Sequence, residues 1–179
     1  MKWIQKDLIR LQYRQCRYLR ISLQKMNVKK MASIFKANST NNVMTIQQLT
    51  DITHILGFKY RTEDEVTPTQ VMQFLDIMGT INFEKFLHYI YIINRADMRD
   101  LCSVLFYVSD SDRVGEIDST DLQLILKYLN IVASDEDIYQ LMDGKKYINY
   151  NDYMTIINQL RNEFTNEVKQ IAKRQIMDE

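Results

Sequence analysis

Glycine and proline are scarce: the 179-residue chain has four glycines and one proline, where the two together usually make up roughly 12% of a chain. A turn-rich β-sandwich or barrel needs more of both, so that class is excluded and helices are favoured. Long apolar runs are missing as well. The longest, residues 86–93, is far short of the roughly 18 to 20 residues that cross a bilayer, and no membrane span is expected. Cys16 and Cys102 are the only cysteines and make no disulfide framework. The N-terminus intersperses Lys2, Lys6, Asp7 and Arg10 among its apolar residues, unlike a secretory signal, so a reducing, intracellular setting is expected. His54 and His88 are the only histidines. Neither lies in a zinc-ligand pattern, and neither cysteine has a spacing partner, so an enzyme is not expected.

Charge is present in balance, but it is unevenly placed. Residues 1–30 carry nine basic side chains and one acid, Asp7, for a net +8, while residues 31–179 carry a net −8. Trp3, Ile4, Leu8, Leu11, Leu19, Leu23 and Met26 recur at helical spacing, with Arg10, Arg14 and Arg17 along another face. A basic amphipathic helix is expected over 1–30. Its arginines would contact a protein partner or an acidic surface such as tubulin; nucleic acid and a small-molecule substrate are not expected.

The remainder is a repeat. Four β-type triplets, Val43-Met44-Thr45, Thr80-Ile81-Asn82, Glu116-Ile117-Asp118 and Tyr147-Ile148-Asn149, are each followed by a helical start. Gly79 and Gly115 lie two residues before a triplet isoleucine, where a sharp turn needs positive φ. Gly57 is expected as a helix C-cap. Thr67 before Pro68, and Ser134 with Asp137, are expected helix starts. Spacing pairs the units as 31–93 and 99–160, joined by a linker at 94–98 and followed by a helical tail over 161–179 with Leu160, Phe164, Val168 and Ile171 at helical spacing.

A calcium loop needs oxygen ligands at positions 1, 3, 5 and 12, a carbonyl at 7, often a water-bridging group at 9, and Gly at 6. In the third unit Asp110, Asp112, Glu116, Asp118 and Asp121 fall at positions 1, 3, 7, 9 and 12, with Gly115 at 6. This segment resembles an EF-hand loop, and with the other three units residues 31–160 resemble the calmodulin and myosin-light-chain superfamily. The resemblance implies an all-α fold of two EF-hand-pair lobes.

The departures matter for function. Val114 stands at position 5 of the third loop, and Asp121 is one methylene shorter than the usual Glu. The first loop offers Ala37, Ser39, Asn41 and Gln48 at positions 1, 3, 5 and 12; the second offers Phe74, Asp76, Met78 and Lys85; the fourth offers Leu141, Asp143, Lys145 and Asp152. These three are expected to be metal-free, and with the third loop weakened at positions 5 and 12 no cofactor is expected; the alternative is Ca²⁺ held weakly at the third loop only, by the five acids named above.

By motif position, the resemblance assigns the gripping of a partner helix to Leu49, Ile52, Met72, Tyr89 and Ile90 in the first lobe. In the second it assigns Leu122, Ile125, Leu126, Met142, Ile156 and Ile157. The alternative for each is packing of the lobe's own core. Residues 79–87 and 147–157 resemble calmodulin-like subunits of the ciliary nexin-dynein regulatory complex. That likeness implies a non-catalytic, calcium-independent adaptor that regulates or anchors dynein in the axoneme. A calcium-responsive sensor, or a myosin or dynein light chain, using the third loop is the alternative.

Overall fold

The β-type triplets become short strands: the β-branched or methionine side chain at each centre turns inward, while the backbone pairs with that of a second triplet. The computed structural model describes residues 28–55, 65–77 and 79–177, with side chains described through residue 166. Among these residues there are eight helices and four strands, so the protein is mostly helical with two small sheets. The order is α1 (Val28–Asn38), β1 (Met44–Thr45), α2 (Ile46–Ile55), α3 (Pro68–Phe74), β2 (Thr80–Ile81), α4 (Phe83–Arg95), α5 (Leu101–Ser109), β3 (Glu116–Asp118), α6 (Ser119–Tyr128), α7 (Asp135–Leu141), β4 (Tyr147–Asn149) and α8 (Tyr150–Met177).

The strands pair antiparallel, β1 with β2 and β3 with β4, with Met44 opposite Ile81 and Ile117 opposite Ile148. All four of these side chains are buried. Helix starts follow local capping chemistry. Thr67 and Gln70 form a capping box at α3, where Pro68 takes the first helical position, and Ser134 and Asp137 form another at α7.

Contacts divide the chain into residues 1–111 and 112–179. The core of the first unit surrounds α4, which buries Phe86, Leu87, Tyr89, Ile90, Tyr91, Ile92 and Ile93. Burying each such side chain contributes about 1.5–3 kcal/mol. Met31 and Phe35 of α1 join this core, and the Phe35 ring lies 5.4 Å from both Phe83 and Phe86. In the second unit Ile117, Leu122, Ile125, Leu126, Ile138, Met142, Ile148, Tyr153, Ile156 and Ile157 are buried.

Four boundaries differ from the sequence grouping. Helix α5, grouped there with the second pair, packs on α4 in the first unit, since Val104 joins that core and Leu101, Tyr107 and Val108 lie against it. The 94–98 segment is partly helix and partly bend: α4 runs through Arg95, Ala96 caps it, and Arg99 closes a fork on Asp97 at 3.0 Å. Residues 150–177 form one continuous helix, so the tail begins as the outgoing helix of the fourth unit. Residue 30 is likewise interior to a helix, because α1 spans Val28–Asn38. Arg10, Arg14, Arg17, Cys16, Gly57 and Met78 lie outside the described residues, as do the side chains of Val168 and Ile171. No described helix is long and apolar enough to cross a membrane.

Candidate functional site

The four loops share one device at their exits. The residue at position 9 caps the outgoing helix each time, because a short polar side chain there reaches the helix's unpaired N–H groups. Thr45 Oγ1 accepts from Gln48 N at 3.2 Å, and Asn82 Oδ1 from Lys85 N at 2.9 Å. Asp118 Oδ1 accepts from Thr120 N and Asp121 N at 2.9 and 3.0 Å. Asn149 Oδ1 accepts from Asn151 N and Asp152 N at 2.9 and 3.1 Å.

Position 12 is where the loops diverge. Gln48 Oε1 turns back to accept from Thr45 N at 2.8 Å. Lys85 Nζ donates across the second loop to the backbone oxygen of Asp76 at 2.7 Å. Asp121 Oδ2 accepts from Asp118 N at 3.2 Å, completing a capping box. Asp152 Oδ2 pairs with Lys145 Nζ at 3.3 Å. Each closing side chain is engaged by atoms of its own loop.

Three of the five acids proposed as ligands are engaged separately. Asp110 is 1% exposed, and its Oδ2 accepts from the hydroxyl of Tyr91 on α4. Burial first, and then Asp110, push the Tyr91 hydroxyl well above its usual pKa, so it stays a proton donor at neutral pH. Asp112 and Glu116 are exposed, while Asp118 and Asp121 serve the start of α6. Among the described residues no group of three or more His, Cys, Asp or Glu is placed to hold a metal ion. Gly115 has φ +89°, the turn its position demands.

All eleven side chains proposed to grip a partner lie inside the two units. Leu49, Ile52, Met72, Tyr89 and Ile90 belong to the core around α4, and Leu122, Ile125, Leu126, Met142, Ile156 and Ile157 are buried in the second unit. Exposed apolar side chains instead include Leu124, Tyr128, Val132 and Tyr139 on and between α6 and α7. Gln123, Leu124, Lys127, Ile131, Val132 and Ala133 line a groove there. Of the histidines, His54 is exposed, and His88 Nε2 lies 2.9 Å from the Tyr107 carbonyl, which makes that nitrogen the donor.

Sequence reasoning missed Tyr91 and the reach of Lys85. No local pattern ties Tyr91 to Asp110, nineteen residues further on. Lys85 was visible as a cation at the closing position, but its acceptor is a backbone oxygen, which carries no residue-type signal.

The fold and loops together define a mostly helical protein of paired helix–loop–strand–helix units. No family model matches the chain. A dual oxidase of Drosophila melanogaster is 25% identical over 100 residues, covering 48% of this chain and 6% of that protein. The chain therefore matches only a small part of that relative's length.

Proposed function

We propose that the chain is a non-catalytic, calmodulin-like adaptor that holds a helix of a larger subunit constitutively, without a calcium trigger. The observation that carries this reading is the closure of every loop by its own residues, Gln48, Lys85, Asp121 and Asp152. A lobe that calcium opens needs its closing ligand available to the ion. Here that side chain is neutral at Gln48, cationic at Lys85, ion-paired at Asp152 and drawn into a helix cap at Asp121, so the state of each lobe is set by packing and by whatever helix it meets. A partner helix reaches the eleven buried side chains only by parting the helices around them. Leu124, Tyr128 and Val132 offer apolar contact without that step.

Placement in a ciliary axonemal assembly, on the doublet surface or the nexin-dynein regulatory complex, rests on the resemblance of residues 79–87 and 147–157. Crosslinking of the full chain in ciliated cells, followed by peptide mapping, tests both parts. The adaptor reading expects one helical subunit crosslinked equally with calcium present or chelated. A myosin heavy chain as that subunit would reject the axonemal placement and keep the adaptor. Crosslinking that needs calcium would reject the adaptor in favour of a sensor.

A further inference from the structure

We propose that Lys85 is a tethered cation that performs, in the second loop, the structural work of a bound ion, and that Lys145 does the same more weakly in the fourth. A divalent ion in such a loop joins its entering half to the first turn of the outgoing helix. Lys85 sits in the first turn of α4 and bonds the Asp76 oxygen in the entering half. Lys145 sits in the entering half and bonds Asp152 in the first turn of α8. The direction along the chain is opposite in the two loops, yet the same two halves are joined.

Two costs at the second loop argue that the contact is not incidental. A lysine in the first turn of a helix faces the positive end of its dipole, which disfavours it. Asp76 ends the incoming helix in left-handed backbone at φ +50°, as Asp143 does in the fourth loop at φ +54°, a helix-ending conformation that costs aspartate less than most residues but more than glycine. The ammonium offsets both, since a hydrogen bond from a charged donor is stronger than a neutral one. The fourth-loop pair is more solvated, with side chains 48% and 35% exposed, so its effect is smaller. This inference goes beyond partner binding and does not depend on it.

Amide hydrogen exchange on the full chain in chelator provides the test. Lys85→Met keeps the apolar stem and removes the charge. It should speed exchange at the amides of residues 79–82 by about tenfold, whereas Lys85→Arg should stay within about threefold of the parent. Lys145→Met should speed exchange at residues 147–149 by about twofold. Exchange in Lys85→Met matching the parent, or Arg and Met behaving alike, would overturn the assignment. If Lys85→Met does not fold, Lys145→Met decides: faster exchange confined to the fourth loop supports a tethered cation, and unchanged exchange refutes it.

Discussion

Replacing Tyr91 with phenylalanine isolates one bond. The ring keeps its edge-on contact with Tyr107, 5.5 Å between centroids, so no cavity is made. What is lost is the hydroxyl that donates to the buried Asp110 carboxylate. A hydrogen bond to a charged group contributes about 1.5–3 kcal/mol. With a urea dependence of about 1–3 kcal/mol per molar, the midpoint of the transition in the 1–111 unit should fall by about 1 M. Asp110→Asn keeps an acceptor oxygen but removes the charge, and the double variant should lose less than the sum of the singles, by at least about 0.5 kcal/mol. The pH dependence has a fixed sign. The Tyr91 pKa is raised above the ordinary 10.0, so its contribution is full below pH 10 and is lost as pH rises through the folded value. The Phe variant should lack that alkaline loss. A midpoint shift below about 0.3 M, or strictly additive singles, would refute the reasoning.

Phe35→Ala removes the ring packed on Phe83 and Phe86, and should cost about 3–5 kcal/mol in urea unfolding of the first unit. Gly115→Ala meets no atom within 4 Å but must hold φ +89°, so thermal unfolding should show a loss of about 1–2 kcal/mol from backbone strain alone. Ser134→Ala breaks the box at α7 and should cost about 1 kcal/mol, read as fraying of residues 135–141 by NMR. Hydrogen bonds from Ser134 hold the Asp137 carboxyl below its usual range. The cap's contribution is therefore present above the ordinary carboxylate pKa and disappears as pH falls through the lowered value, which carboxyl chemical shifts of Asp137 would follow.

Local chemistry was legible in the sequence, and tertiary choices were not. The four triplets predict the strands closely, since Met44, Ile81, Ile117 and Ile148 are the inward residues of short β segments. Thr67-Pro68 and Ser134 with Asp137 likewise predict helix starts, because capping is decided within four residues. The grouping of α5 depended on which apolar face Val104 meets, and periodicity marks a face without naming its neighbour. The same limit applies to the eleven candidate gripping residues. Helical spacing identifies Leu49 or Ile125 as apolar-facing, and leaves open whether that face meets the chain's own core or another chain; in the structure both are interior. The third loop's acids were visible by type, but the capture of Asp110 by Tyr91 is a contact from α4 to the residue that follows α5.

A calcium titration of the full chain followed by amide NMR tests the central claim most directly, because Thr45, Asn82, Asp118 and Asn149 report each loop exit separately. The account predicts no saturable shift at the first, second and fourth loops and no opening around Ile81 or Ile148. Stoichiometric ion binding in two or more loops, accompanied by exposure of those isoleucines, would contradict it.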